Sequence, residues 1–322
     1  PAGDFVTAPE ISPFLGRALA ATLAAELDAN GARVVLELGA GSGALCGQML
    51  DAWARSKRDV DYWILEPSAD LRARQQRALE RFAPRVRWLD ALPHTPFRGV
   101  IVANEVLDAL PVSCFVKRGG AVLSVCVVSS GTRFAWEEGV APAVLASAVV
   151  ALEQRLGAPL TEGYRSELCL ALPAWIGSLA GCLERGSMLF VDYGLVRGEY
   201  YHAQRSGGTL VCHYRHRAHF DPFLYAGLQD ITAWVDFSAA ADAAASAGLT
   251  IGGFTTQAQY LASAIASAAD AFGLATASPR EQSALKTLLL PGEMGERFKV
   301  LLLRKGLNGP SLPGRDFRVR LG

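Results

Sequence analysis

Between Arg33 and Cys46 the chain reads RVVLELGAGSGALC, and few stretches leave a polypeptide so little choice of fold. Val34, Val35, Leu36 and Leu38 form a short apolar run rich in β-branched residues, broken only by Glu37. Gly39, Gly41 and Gly43 follow at alternate positions, and a helix-compatible segment begins directly after them. A buried strand that passes through a glycine turn into a helix is the opening unit of an open parallel α/β sheet. Such sheets bind ligands in the crevice beyond the carboxyl ends of their strands, where strand order reverses. Glycines at that point let the backbone approach a ligand closely, because no Cβ intervenes.

Two ligand classes fit this unit. Gly39, Gly41 and Ala44 have the spacing of a dinucleotide fingerprint, which would set a pyrophosphate on the helix N-terminus. S-adenosyl-L-methionine carries no phosphate but a sulfonium, an ammonium, a carboxylate and a ribose, so its site calls for carboxylates near the turn. Glu37, two residues before Gly39, favours the methyl donor. Glu66, at the end of the next apolar run DYWILEP, stands where a ribose-binding carboxylate is expected and suits either ligand.

The chain has 322 residues, half of them apolar, with 31 basic and 31 acidic side chains. That is enough for one large α/β domain with insertions. The even balance, without long runs of like charge, argues against a nucleic-acid groove or a charge-driven membrane patch. No apolar stretch reaches membrane-spanning length. Cys46, Cys114, Cys126, Cys169, Cys182 and Cys212 are scattered without a C-x-x-C pair, as expected of buried, reduced thiols. The chain begins at Pro1 with no basic and apolar leader, so it reads as trimmed upstream. Its composition reads as bacterial and cytoplasmic; the alternative is a mitochondrial matrix protein that has lost a transit peptide.

In chain order, Gly3 to Glu10 reads as an irregular leader, or as a lid whose Asp4, Thr7 and Glu10 close over the donor. Ser12-Pro13 starts a helix that Asn30-Gly31 ends. A helix to about Lys57 leads to a strand over 61–65, with Glu66, Pro67 and Ser68 at its carboxyl end. An amphipathic helix over 69–82 follows, then a strand over 86–89. Asp90 and Ala91, at the end of that strand, are placed to contact an adenine, although Asp90 suits a turn equally. A fourth strand over 99–103 ends in Asn104, Glu105, Val106, Leu107 and Asp108. Asn104 and Glu105 thus fall beside the cofactor crevice, unless Glu105 only caps the helix after it. The Asn-Pro-Pro-aromatic turn of nucleic-acid amino-methyltransferases is absent. From 112 to 136 the period changes to two, which predicts an antiparallel β meander inserted after strand four.

Helices are expected over 143–156 and 171–184, and a fifth strand over 188–191. A polar, aromatic excursion runs from 195 to about 236 and carries His202, His213, His216, His219, Asp221 and Asp230. A loop of that length is usually functional. His219 and Asp221 could belong to a two-histidine, one-carboxylate metal site. Arg215 and Arg217, interleaved with the histidines, would repel a cation, so no metal is expected and a substrate-binding role is preferred. Helices over 237–247 and 257–269 flank a strand over 250–254. The final strand, 298–303, reads as the antiparallel edge of a mixed sheet.

Taken together, GDFVTAPEIS, LELGAGSG, LEPS, ANEVLDALPV, VDYG, HYRHRAHFDP, QDITAWVDF, GFTTQAQYL and MGERFKVL resemble the MidA-like family. That family comprises the mitochondrial complex I assembly methyltransferase and its bacterial relatives. The likeness spans residues 3 to about 301. It implies one class I methyltransferase domain with a Rossmann-like mixed sheet and helices on both faces, S-adenosyl-L-methionine as donor and S-adenosyl-L-homocysteine as product. For mitochondrial members it implies a protein arginine as acceptor, in a subunit of the respiratory complex. By position, Glu37, Gly39 and Gly41 would hold the donor's amino-acid end, and Glu66 its ribose. Gly43, Pro67, Ser68, Asp90, Ala91 and Thr7 complete the expected donor site, and Asn104 and Glu105 line the junction with the acceptor. The family usually has ELGPGRG where Ala40 and Ser42 stand here, Trp234 is larger than expected, and the segment before GDF is missing.

An arginine acceptor is cationic, so it needs anionic neighbours to approach a sulfonium. Glu105 is the first candidate to grip and orient the guanidinium, and Asp108 the second. Asp4, Glu10, His219, Asp221 and Asp230 are candidates to complete the acceptor pocket, and a histidine could take the released proton. A NAD-dependent dehydrogenase and a non-catalytic assembly factor that retains the fold are the competing classes.

Overall fold

The computed structural model describes residues 7–215 and 217–322; Asp4 and His216 lie outside them. The chain opens with a one-turn helix α1 (Ala8–Ile11) and a long helix α2 (Phe14–Asn30), which Gly31 closes in the left-handed conformation. The alternating core then follows as β1 (Val34–Leu38), α3 (Ala44–Arg55), β2 (Asp61–Leu65), α4 (Ala69–Ala78), β3 (Val86–Leu89) and β4 (Phe97–Asn104). β5 (Ser113–Arg118), β6 (Ala121–Ser130) and β7 (Arg133–Val140) form the predicted meander, and α5 (Ala143–Leu156) and β8 (Arg165–Leu168) return to it. Next come α6 (Leu172–Cys182), the long β9 (Leu183–Leu195) and the short α7 (Arg197–Tyr200). β10 (Val211–Tyr214), β11 (Arg217–His219), β12 (Asp230–Thr232) and β13 (Val235–Asp236) occupy the excursion. α8 (Phe237–Ser246), β14 (Thr250–Thr256), α9 (Gln257–Ser267), α10 (Ala269–Phe272), α11 (Pro279–Leu289) and β15 (Phe298–Lys305) complete the chain.

The central sheet has the order β14-β15-β9-β4-β1-β2-β3, with β13 also on β9. β1, β2, β3, β4 and β9 are parallel, and β15 runs antiparallel to both of its neighbours. Alternate residues of each strand feed opposite layers, as the two-residue period of a strand requires. Leu189 and Val191 of β9 join the layer of α2, α3 and α9, whereas Met188 and Phe190 join that of α6 and α8. Helices therefore cover both faces. No described helix is long and apolar enough to cross a membrane.

Four expectations need correction. Residues 8–11 are helical, because Thr7 and Glu10 form a capping box around Pro9 in the first turn. The meander extends to Val140 and gains a fourth strand, β8, which pairs with β5 across about fifty residues of chain. The excursion over 195–236 is not structureless: β11-β10-β12 form a small antiparallel sheet within it. The last strand is internal, between β14 and β9, and β14 is the edge. Seven of its eight residues are buried, with Val300 to Leu303 a continuous apolar run between Lys299 and Arg304, as in a strand covered on both faces. The true edge is covered by the C-terminal segment, where Phe317 N–H donates to Phe254 O (2.7 Å). α10 and α11 had not been anticipated, and Cys126 is exposed rather than buried.

Candidate functional site

The cleft at the end of β1 follows from the local sequence. Gly39 and Gly41 adopt left-handed backbone angles, φ +60° and +54°, that a side chain would strain. A Cβ on Gly41 would meet open space, whereas one on Gly39 would press on Val106. The resulting cavity of about 360 Å³ is lined by Thr7, Glu10, Glu37, Gly39, Gly41 and Asn104, among others. Glu37 is buried at its base and accepts a hydrogen bond from Tyr62 Oη (2.6 Å). Burial, against the pull of Tyr62 and with the added repulsion of Glu66, pushes its carboxyl up to about 7.

Glu66 is buried nearby. Its Oε1 accepts from Ser68 N–H (3.0 Å) and its Oε2 from Gln75 Nε2 (3.1 Å). Gln75 Nε2 also donates to Gly41 O (2.9 Å), while Trp88 Nε1 donates to Gln75 Oε1 (3.0 Å). One buried amide thus ties the ribose-position carboxylate to the glycine turn. Ser68 caps α4, accepting from Leu71 N–H (3.4 Å), and Gly43 caps α3. Pro67 and Ala91 are exposed, and Asp90 is exposed and paired with Arg72. None of these three lines the cavity, and neither do Gly43, Glu66 and Ser68; a loop-end position alone does not turn a residue inward.

The second group gathers at the end of β4. Glu105 has φ +54°, an uncommon angle for a side-chain-bearing residue, and its N–H donates to Val191 O (2.8 Å). Asn104 Nδ2 donates to Glu105 Oε1 (3.0 Å). The turn that follows wraps a buried carboxylate: Asp192 Oδ2 accepts from the N–H groups of Val106 (3.1 Å), Leu107 (2.8 Å) and Asp108 (3.2 Å). Asn104 Oδ1, Glu105 Oε2 and Asp108 Oδ1 are buried acceptors with no partner among the described residues. Burial, reinforced by the charge on Asp108, pushes the Glu105 carboxyl up to about 8, against the opposing Asn104 amide and Ala8 N–H. Burial likewise raises Asp108 to about 6, with a Tyr193 hydrogen bond opposing and Asp230 adding repulsion. Asp192 is raised by burial and by both neighbouring carboxyls.

Of the acceptor-side candidates, Asp230 on β12 comes close enough to act on Asp108, and Glu10 close enough to act on Glu105. His219 sits on β11 opposite Cys212, against Tyr225. Asp221 is exposed and accepts from Phe223 N–H (2.9 Å) within a turn. The structure brings neither of these two to the Asn104–Asp108 turn. Trp234 is half-buried, edge-on to Tyr193. Sequence reasoning missed Gln75, Tyr62, Asp192 and Tyr193. The signal for the last pair was present: a lone acid directly after the apolar run MLFV.

Comparison with known proteins decides between the two ligand classes. A family model described as "Putative S-adenosyl-L-methionine-dependent methyltransferase" matches residues 15–255. The chain belongs to this family. A Burkholderia thailandensis protein described as a likely methyl transferase, solved bound to S-adenosyl-homocysteine, is 41% identical. The match covers 97% of this chain and 82% of that one, with a TM-score of 0.87. A second Burkholderia thailandensis structure, in its native form, matches with the same identity and TM-score over 85% of its length. A Drosophila melanogaster protein named "Protein arginine methyltransferase NDUFAF7 homolog, mitochondrial" is 27% identical over 340 residues, covering 95% of this chain and 76% of its own. By family and fold the chain is an S-adenosyl-L-methionine-dependent methyltransferase, which sets the dinucleotide reading aside.

Proposed function

We propose that the protein methylates an arginine side chain of a protein acceptor, and that the acceptor guanidinium docks at the Asn104–Asp108 turn. The observation that carries this reading is the trio of buried acceptors, Asn104 Oδ1, Glu105 Oε2 and Asp108 Oδ1, without donors among the described residues. Buried acceptors are normally satisfied. A guanidinium offers five N–H donors in a planar fork and is always charged. The kinship with a Drosophila protein named as a protein arginine methyltransferase supports the same choice. The resemblance to complex I assembly methyltransferases makes a respiratory-complex subunit the first acceptor to try.

The cleft residues fit the donor. Gly41 leaves its side of the turn open, and two carboxylates, Glu10 and Glu37, line the cavity with Arg74. Glu37, Gly39, Gly41 and Thr7 would hold the amino-acid end and Glu66, oriented by Gln75, the ribose. When bound, S-adenosyl-L-methionine supplies a methyl group activated on a sulfonium. The protein's part is alignment and charge: Glu105 and Asp108 grip the acceptor and fix one nitrogen in line. Their repulsion of one another is relieved by the incoming cation, which favours their ionised forms. Glu105 is also placed to receive the proton that the guanidinium loses.

The test is transfer of labelled methyl to arginine peptides and to matched peptides with lysine in place of arginine, with mass spectrometry locating the product. Label on guanidinium nitrogens of the first set alone is the expected result. Label on lysine, or on neither set and on no protein, would sink the proposal.

A further inference from the structure

The pair Asp192-Tyr193 ends β9, and no role falls to it in the donor or acceptor contacts above. Asp192 accepts three consecutive amides of the turn on one oxygen, and on the other the N–H of Tyr193 (2.9 Å). Three of these four backbone donors belong to the turn and fix the path of residues 106–108, directly after the left-handed backbone of Glu105. Tyr193 is buried, packed on Phe298 with ring centres 5.5 Å apart. Its hydroxyl donates to Thr232 Oγ1 (2.5 Å) and stands beside the Asp108 carboxyl, where it favours the ionised form. Thr232 belongs to β12, the strand that carries Asp230, and Ala233 N–H donates to Asp108 O (3.2 Å).

We infer that Asp192 and Tyr193 are the positioning residues of the acceptor site. Asp192 holds the turn that presents Glu105, and Tyr193 aims the Asp108 carboxyl and joins it to the small sheet of the excursion. Neither residue touches the acceptor; each acts through the group it holds. The inference rests on the proposed reading of the Asn104–Asp108 turn as the acceptor site.

Tyr193→Phe keeps the ring and its packing while it removes the hydroxyl. Asp108 then faces Asp192 and Glu105 and, from β12, Asp230, with one donor fewer. A lost donor disfavours the carboxylate, so the acid limb that Asp108 contributes to kcat/KM moves to higher pH. For a hydrogen bond to a charged group, kcat/KM for an arginine peptide should fall about 10- to 100-fold. Asp192→Asn should lower it at least as much, because its amide nitrogen must face a backbone N–H. Both variants should bind S-adenosyl-homocysteine within about threefold of wild type; Asp192→Asn should lower turnover little further in a Glu105→Gln background, and Tyr193→Phe little further in an Asp108→Asn background.

The inference fails if Tyr193→Phe leaves kcat/KM and the acid limb unchanged. It also fails if donor affinity and turnover drop in equal measure, the mark of a merely structural role. Should Asp192→Asn not fold, Tyr193→Phe decides alone. If the wild-type protein neither binds nor methylates arginine peptides, the acceptor reading falls and this inference with it. If the wild type is active, Glu105→Gln is inactive and Tyr193→Phe is normal, only the inference falls.

Discussion

Glu105→Gln is isosteric, keeps the bond from Asn104 and removes only the charge that the acceptor is proposed to meet. With its carboxyl raised to about 8 by burial and by Asp108, Glu105 is about one-tenth ionised at pH 7 before acceptor arrives. Ionising it there takes roughly 1.4 kcal/mol, the equivalent of one pH unit. Two charge-assisted hydrogen bonds to a guanidinium return about 1.5–3 kcal/mol each. The difference leaves roughly 1.6–4.6 kcal/mol, or about 15- to 2,000-fold in turnover, that the glutamine cannot supply in full. The same raised carboxyl sets a sign. The active ionised form is scarce below pH 8, so wild-type kcat/KM for the acceptor should climb as pH rises from about 6 to 8. The variant should lose the upper part of that climb and keep the part near 6 that Asp108 sets. Steady-state methylation of an arginine peptide across this range, beside calorimetry with S-adenosyl-homocysteine, measures both. Glu105 does not line the donor cavity, so donor affinity should stay within a few-fold. Turnover near wild type, or a matching loss of donor affinity, would refute the assignment.

Two further substitutions probe the donor side. Gly41→Val puts a β-branched side chain at φ +54°, which strains the backbone by about 1–3 kcal/mol and fills the cleft; donor binding measured by calorimetry should weaken at least tenfold, and an unchanged affinity would show that the turn does not contact the donor. Gln75→Leu preserves approximate volume but removes the link between Gly41 O and Glu66 and the acceptor of Trp88 Nε1; with three partners unsatisfied, donor affinity should fall about 10- to 100-fold while the thermal midpoint shifts by a few degrees only, and a large loss of stability at unchanged affinity would make Gln75 a core residue instead.

The elements that carry the proposed donor half were legible because their determinants are local. The strands over 34–38 and 61–65 stand where their apolar runs predicted them, and the glycines between them can serve few other purposes. The acceptor half was only partly legible. Asn104, Glu105 and Asp108 are adjacent in sequence, but what holds them is Asp192, more than eighty residues away, and a single strand pattern cannot reveal which turn a buried acid will serve. The strands of the small sheet are three or four residues long and largely polar, so their pairing depends on tertiary context that no periodicity records. Gln75 was hidden for another reason: it sits on a helix dense with arginine, where an amide reads as one more solvated group.

The proposed donor and acceptor groups lie side by side because of sheet register. β1 and β4 are adjacent and parallel, with Glu37 opposite Val102 and Leu38 opposite Ala103, so the chains leave the sheet at the same level, one into Gly39 and the other into Asn104. β2 and β3 lie on one side of that pair and β9, β15 and β14 on the other, which makes it the place where strand order reverses and a crevice opens. The Val106 side chain fills the space beside Gly39, so the two turns touch where Gly39 has no side chain of its own. A slip of one residue between β1 and β4 would exchange the faces of every side chain on the slipped strand and carry the buried acids away from the cleft. The unpartnered acceptors and the left-handed glutamate are unfavourable in the isolated protein, and the fold keeps them because the strands around them are buried on both faces and cannot shift. That rigidity is what keeps the three acceptors proposed to meet a cation buried beside the proposed donor cleft.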